Sequence, residues 1–119
     1  MFITRSYIRE HRSWLFVYGD NLTHCGYGGQ AKVCRGEYNT LGIPTKQEPD
    51  MRPEAFFSDK NFYRVKLIID DIIEVCDFSL YEKIVVLPGI GTGRAQLPTR
   101  APRIYQYLVK TLNNLPSPK

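Results

Sequence analysis

The sequence contains no apolar run near the roughly 18–20 residues that a helix needs to cross a bilayer. Its first residues show neither the apolar stretch nor the small-residue cleavage site of a signal peptide. These two absences predict a cytoplasmic protein that does not enter a membrane.

Cysteine is scarce, with three residues that form no recognisable pair. An odd number without paired spacing is not typical of a disulfide framework. Cys25, Cys34 and His24 lack both a CxxC-type pair and a fourth ligand for zinc. We therefore expect reduced thiols, with Cys76 in the core, and neither a metal nor a cofactor.

Charge of one sign is not concentrated either. The chain has 16 basic and 12 acidic residues, a net charge of +4. Apart from Arg5, Arg9 and Arg12 the basic residues are scattered, so the dense stripe typical of a nucleic-acid-binding protein is missing. The balance favours an anionic ligand, and we expect the three arginines to lie on a solvated face or a small helix.

Apolar residues are plentiful enough for a folded core, since 43% of the 119 residues are hydrophobic and 13% are aromatic. This length predicts one domain over residues 1–119. Residues 1–12 fit either a short helix or a strand. Pro116 and Pro118 stop a helix, so residues 114–119 are expected to form a tail.

Three runs of apolar residues predict strands. Those at residues 14–18 and 83–87 do not alternate, which is typical of strands buried on both faces of a parallel sheet. A shorter strand is predicted at residues 40–43. The first strand is expected to end in a turn at Gly19, and the shorter one is expected to be cut by Pro44.

Helical patterns lie between these strands. A short helix over residues 30–35 is closed by Gly36, a second is capped by Ser58 or Asp59, and a third is capped by Thr99 and runs to Asn113. The inward face of the second helix is expected to comprise Phe62, Val65, Ile69, Ile72, Ile73 and Cys76. Alternating strands and helices predict an α/β domain with a mainly parallel sheet covered by helices.

Two glycine-rich segments follow the two clearest strands. The first glycine loop covers residues 26–31 and the second covers residues 89–93. Glycine permits positive φ and close approach to a ligand, and successive N–H groups in such turns form a nest for anions. Because parallel sheets bind ligands at the carboxyl ends of their strands, we predict a phosphate site there, with Thr92 and Arg94 as donors.

The alternative is a pair of tight turns without a ligand. The second glycine loop is not a Walker loop, because no Lys-Ser or Lys-Thr pair stands at the required offset.

Five more residues are expected near the same edge of the sheet. Asp20 and Asn21 can hold an amine or ribose hydroxyls, or can simply bond their own backbone as turn residues. Tyr27 can stack on a base or pack on its own domain. Lys46 can act as a nucleophile if neighbouring cations lower its pKa, or can be exposed. His24 is a possible base, but the sequence supplies no orienting partner, so we expect it to be exposed.

Segments 19–21, 28–31, 43–46 and 88–93, in this order and spacing, resemble the macro domain superfamily. More narrowly, they are similar to the short macro-like proteins of bacteriophages, over most of the chain. The resemblance implies a small three-layer α/β domain, with a mainly parallel (mixed) sheet flanked by helices. It also implies binding of ADP-ribose or a related nucleotide in the cytosol of a bacterial host. An ADP-ribosylated protein or nucleic acid is the partner it implies.

The resemblance also implies roles for the residues. Asp20 and Asn21 would lie near the adenine and ribose, Gly28, Gly29 and Ala31 around the distal ribose, and the second glycine loop along the diphosphate. The predicted ligand-binding residues are Asp20, Asn21, Tyr27, Gly28, Gly29, Gln30, Ala31, Thr45, Gly89, Ile90, Gly91, Thr92, Gly93 and Arg94.

One macro branch removes ADP-ribose from acidic side chains or from DNA with a lysine that ends a Thr-Lys strand, and Thr45-Lys46 is similar to that feature. The candidate catalytic residues are therefore Lys46, and Asn21 holding a water. The poly(ADP-ribose) glycohydrolase branch has paired glutamates where this chain has Gln30-Ala31, and glutamine cannot serve as a general acid, so that activity is not expected.

Two other functions fit the same sequence. One is a non-enzymatic protein that sequesters or reads a nucleotide. The other is a module that binds protein or nucleic acid and whose glycine loops are purely structural. The sequence does not predict an oligomeric state.

Overall fold

The computed structural model describes residues 3–118; Met1, Phe2 and Lys119, which belong to the predicted terminal segments, lie outside the described residues. Three strands form a parallel sheet in the order β2-β1-β3. The strands are β1 (Trp14–Asn21), β2 (Thr40–Lys46) and β3 (Lys83–Val86). The α-helices are α1 (Arg5–Glu10), α2 (Ala31–Cys34), α3 (Phe62–Val75), α4 (Leu97–Arg100) and α5 (Pro102–Asn113). The predicted α/β class with flanking helices is confirmed, and the described sheet is wholly parallel.

The central strand β1 is buried on both faces. Leu15 and Val17 pack into a core shared with α3, α4 and α5. Phe16 and Tyr18 pack on the opposite face against α1 and α2, where Cys34 is fully buried. The run without alternation therefore marks the middle of a layered domain, as predicted. Cys76, expected in the core, is only half-buried at the end of α3.

Both β1 and β2 are longer than the sequence predicts. The expected turn at Gly19 is wrong, because β1 continues to Asn21. The expected break at Pro44 is also wrong, because β2 continues to Lys46 with Pro44 paired to Asp20. Proline lacks an N–H and is tolerated on an edge strand such as β2. The extension carries the polar residues of both strands to one edge of the sheet.

The expectation that the last strand is buried on both faces is wrong. β3 lies at the edge of the sheet, and its end residues Lys83 and Val86 are exposed. Its apolar run has another cause: Ile84 packs against the core on one face of the sheet and Val85 against the core on the other. Leu87 is buried but follows the end of the strand.

The predicted apolar face of α3 is confirmed. Val65 and Ile69 are fully buried, and the other predicted residues are partly buried and pack against the same core. The helix begins at Phe62, after a 3-10 turn at Asp59–Asn61. The Asn61 side chain accepts a hydrogen bond from the N–H of Ser58 and so closes this turn.

The cap of the last helix is not Thr99. Thr99 lies in the short helix α4, and its hydroxyl donates to the Gln96 carbonyl. The carboxylate of Asp59 instead accepts from the N–H groups of Arg103 and Ile104 in the first turn of α5. A carboxylate from a distant segment thus accepts hydrogen bonds from the N–H groups that a capping side chain at the start of the helix would otherwise satisfy.

The ambiguous N-terminal segment contains α1. Arg5 and Arg9, predicted to lie on a solvated face or a small helix, are in α1 and both form ion pairs with Glu37. The short helix α2 is followed by Gly36 at φ +91°, as a glycine cap requires. Within residues 3–118 no helix combines the length and apolarity that spanning a membrane would need.

Candidate functional site

A cavity of about 240 Å³ opens at the carboxyl ends of the strands, between the two glycine loops. Its walls come from the ends of β1 and β2, the start of α2 and the segment after β3. The lining residues are Gly19, Asp20, Asn21, Cys25, Gly26, Gly28, Gly29, Gln30, Ala31, Arg35, Thr45, Lys46, Pro49, Gly89, Gly91, Gly93, Arg94 and Ala95. The structure therefore brings most of the predicted site residues to one place.

Three predicted ligand residues do not line this cavity. Tyr27 is 65% exposed, Ile90 is buried in the core, and the hydroxyl of Thr92 donates to the Gly89 carbonyl across its own turn. Arg35 and Cys25, which the sequence did not predict as ligand-binding residues, line the cavity as well.

Arg94 connects the two glycine loops. A Cβ built on Gly28 would lie 2.6 Å from Nη1 of Arg94, so the guanidinium lies directly over the Gly28 backbone. Because Gly28 has no side chain, Arg94, the residue after the second glycine loop, can cover the first loop. The arrangement places a positive charge in the wall of the cavity.

The Gln30 side chain forms hydrogen bonds to two different walls of the cavity. Its Oε1 accepts from the N–H of Gly19 at 2.8 Å, and its Nε2 donates to the carbonyl of Pro88 at 2.7 Å. One amide thereby joins β1 to the segment that follows β3. Both ends of the Gln30 side chain serve the scaffold of the cavity.

Asp20 lies at the centre of a charged network. Its side chain is 3% exposed; Oδ1 accepts from Arg35 and from the Asn21 N–H, and Oδ2 lies 2.9 Å from Nδ1 of His24. Burial alone would raise the pKa of Asp20, but the bonds from Arg35, His24 and the Asn21 N–H outweigh it and lower the pKa. The expectation that His24 has no orienting partner is therefore wrong, since Asp20 is that partner.

The Asn21 amide holds the following loop. Its Nδ2 donates to the Cys25 carbonyl at 2.8 Å, and its Oδ1 accepts from both the N–H and the hydroxyl of Thr23. The side chain thus fixes the turn that carries His24. Such local bonding agrees with the alternative in which Asn21 bonds nearby backbone as a turn residue, although Asn21 lies within β1.

Lys46 ends β2 and is 6% exposed. Its Nζ donates to the carbonyl of Asp50 and lies 4.6 Å from the centre of the Phe56 ring. Burial lowers the pKa of Lys46; the charge of Asp50 opposes this shift, and the charges of Arg94 and Arg100 add to it. The cavity therefore has a buried amine that lies in a field of other cations.

A family model, described as a family of unknown function (DUF7831), matches residues 1–111. The chain belongs to this family. No curated protein and no solved structure matches it. The matched region contains the three strands and both glycine loops, so the cavity lies within the DUF7831 domain.

In this DUF7831 protein, replacing Lys46 by methionine is expected to increase stability. Methionine retains contact with Phe56 and removes a charge that burial disfavours, a gain of about 0.5–2 kcal/mol in free energy of unfolding at pH 7. Because the folded-state pKa of Lys46 is lowered, the unfolded chain binds more protons at pH values between the folded and unfolded pKa. As the pH rises through that window, the free energy of unfolding of the unsubstituted protein therefore increases. The difference in stability between Lys46→Met and the unsubstituted protein becomes smaller over the same range.

Urea unfolding at about pH 7 and pH 9.5 measures both effects. Lys60→Met, at an exposed lysine, is the matched control and should change stability little at either pH. A Lys46→Met protein less stable than the unsubstituted chain at pH 7 would contradict this account of the buried amine.

Proposed function

We propose that this chain binds ADP-ribose, or a closely related nucleotide, in the cavity between its two glycine loops. One observation carries the proposal: segments more than fifty residues apart in the sequence meet at one cavity, with the Arg94 guanidinium across Gly28. Two tight turns with purely structural roles have no need to share a cavity or a cation.

The charges around the cavity favour a ligand with phosphate groups. Lys46, Arg94 and Arg35 line the cavity, and Arg100 lies outside it over the Phe56 ring. Arg35 is neutralised by Asp20, which leaves Lys46 and Arg94 as the lining cations that can attract an anion. Guanidinium and ammonium groups bind phosphate through charge-assisted hydrogen bonds, which are stronger than neutral ones.

Size constrains how such a ligand would lie. At about 240 Å³ the cavity falls below the roughly 300–1,000 Å³ of most ligand pockets. A diphosphate with one ribose is the part of ADP-ribose that suits this space. The adenosine would extend over the open side, where Tyr27 stands exposed between two lining glycines. This orientation reverses the one that the resemblance implies, because it puts the distal ribose, and not the adenine, near Asp20 and Asn21.

The resemblance to macro domains remains part of the proposal. A parallel sheet with glycine loops at the carboxyl ends of its strands is compatible with it. The glycine positions support a backbone-bound diphosphate, since Gly89 and Gly91 both have positive φ.

We also propose hydrolysis of a bound ADP-ribosyl group. Lys46, at the end of the Thr-Lys strand, lines the cavity, and its lowered pKa reduces the free energy needed to form the neutral amine that can act as a nucleophile. A water held by Asn21 is less well supported, because the Asn21 amide already bonds the Thr23–Cys25 turn. Full hydrolysis by a Lys46→Ala protein would remove the lysine from this role.

The direct test is the melting temperature with and without millimolar ADP-ribose, alongside AMP, NAD and cyclic ADP-ribose isomers. A ligand at about 100 times its dissociation constant adds roughly 2.7 kcal/mol to the free energy of unfolding, which is readily visible. A shift specific to ADP-ribose or a close relative supports the proposal. Ligand recovered unchanged after denaturation points to a sequestering protein, and no shift with any nucleotide overturns nucleotide binding.

Replacing Arg94 by methionine is expected to weaken ADP-ribose binding about 10–100-fold, the equivalent of the roughly 1.5–3 kcal/mol of a hydrogen bond to a charged group. The matched control is Arg12→Met, at an exposed arginine near the amino end of β1, where the guanidinium lies beside Tyr38. Isothermal titration calorimetry gives both affinities. Equal affinities for the two variants would place the anion elsewhere.

A further inference from the structure

His24 occupies an unusual position beside the cavity. His24 itself is not a lining residue, but Asn21, at the end of β1, and Cys25, the residue after His24, both line the cavity. Its ring is 66% exposed, while the Asp20 carboxylate that contacts Nδ1 is 3% exposed. An accessible imidazole is thus anchored by a buried acid at the edge of the candidate ligand site.

The contact fixes which ring nitrogen is reactive. An ionised carboxylate only accepts hydrogen bonds, so Nδ1 of His24 must be the donor to Oδ2 of Asp20. In the neutral ring, Nε2 then carries a free lone pair. Because the other carboxylate oxygen is held by Arg35 and by the Asn21 N–H, Asp20 cannot readily turn away.

The backbone at His24 is held in a conformation that non-glycine residues rarely adopt. Its φ is +54°, in the left-handed region, and the Asn21 amide ties down Thr23 and Cys25 on either side. Such strained positions are concentrated at functional sites. The surrounding bonds maintain the strain, and the result is an imidazole aligned with Asp20.

We propose that His24 is the proton acceptor for hydrolysis at this cavity and that Asp20 is its positioning residue. The inference rests on the proposed function and takes as substrate an ADP-ribosyl ester of a carboxylate side chain. In this route, which is the alternative to attack by the Lys46 amine, the water oxygen bonds to C1 of the distal ribose while the bond from C1 to the ester oxygen breaks. The electron pair leaves with the carboxylate, and the water proton passes to Nε2 of His24. The exposed ring then returns the proton to solvent.

The variant that tests this is His24→Gly. Glycine adopts positive φ without strain, so the variant is expected to fold, and it leaves space for free imidazole. We expect ADP-ribose affinity within about threefold of the unsubstituted chain. Single-turnover release of ADP-ribose from a carboxylate-modified protein should fall about 10²–10⁴-fold, the usual contribution of a general base. Millimolar imidazole should restore part of the rate.

The other histidine supplies the control. His11 stacks between Tyr7 and Trp14 beyond the end of α1, and His11→Gln should retain the full rate. An unchanged rate in His24→Gly, or a loss that imidazole does not relieve, overturns the role of His24. Binding of ADP-ribose without any turnover also overturns it and leaves the binding proposal intact. Failure of the unsubstituted chain to bind ADP-ribose overturns both.

Discussion

Replacing Asp20 by alanine is expected to lower the free energy of unfolding by about 3 kcal/mol at pH 7, because removing one partner of a buried ion pair leaves the other without compensation. Arg35 is the stranded partner, with its side chain 12% exposed. Two backbone carbonyls would still accept from it, those of Gly26 and Cys25. Neither carries the charge that Asp20 supplies.

The loss should depend on pH in a defined direction. The pKa of Asp20 is lowered in the folded state, so its contribution is complete above the ordinary carboxyl value of about 3.9. That contribution disappears as the pH falls through the folded-state pKa. The stability gap between the unsubstituted chain and Asp20→Ala should therefore be constant near neutrality and narrow in acid.

Urea unfolding between about pH 3 and pH 7 measures the gap. Glu48→Ala is the matched control, because Glu48 pairs with Arg52 at the surface, where their side chains are 44% and 65% exposed. A surface pair contributes about 0–1 kcal/mol. If the two substitutions cost the same, the Asp20 network does not stabilise the fold.

Replacing Gly91 by alanine is expected to cost about 2–4 kcal/mol, the sum of a left-handed backbone and an overpacked core. Gly91 has φ +86°, and a Cβ there would lie 2.9 Å from a methyl carbon of Leu97 and 3.2 Å from one of Leu108. Both leucines are fully buried, so neither has room to withdraw. The second glycine loop would have to move and the cavity would change shape.

The same loop offers a matched control. Gly93 lacks a positive φ, and a Cβ there would meet no atom within 4 Å. Gly93→Ala should therefore be neutral, or stabilising by about 0.4–1 kcal/mol through a less flexible unfolded chain. Chemical denaturation of the two variants side by side tests the difference. Equal stabilities would show that the loop tolerates a side chain at Gly91.

Local patterns were sufficient for the elements that build the core. The apolar run of β1 is uninterrupted because the strand is buried on both faces. The apolar residues of α3 recur at three- and four-residue steps because one face of the helix is buried. The placement of glycine loops after strands also predicted where the cavity lies. Those inferences depend on neighbours in sequence, which a single chain displays directly.

What the sequence could not supply were contacts between distant segments. The position of β3 at the edge depends on packing of the whole sheet, and Asp59 caps a helix 44 residues away. The sequence did not identify Arg35 as a site residue for the same reason. A buried acid at the end of a strand, such as Asp20, nevertheless indicates that a cation lies nearby. His24 is exposed, as predicted, but its contact with Asp20, four residues earlier, depends on a left-handed backbone at His24 that the sequence does not display.

The strand order has a further consequence for how the protein folds. β1 pairs with β2 and also with β3, whose register joins Trp14 to Lys83 across most of the chain. Contacts of such high sequence separation require closure of long loops, which slows folding. The second glycine loop follows β3 and reaches the cavity only after that closure. A nascent chain can therefore complete β1, α2 and β2 and still lack the second of the two glycine loops of its ligand site.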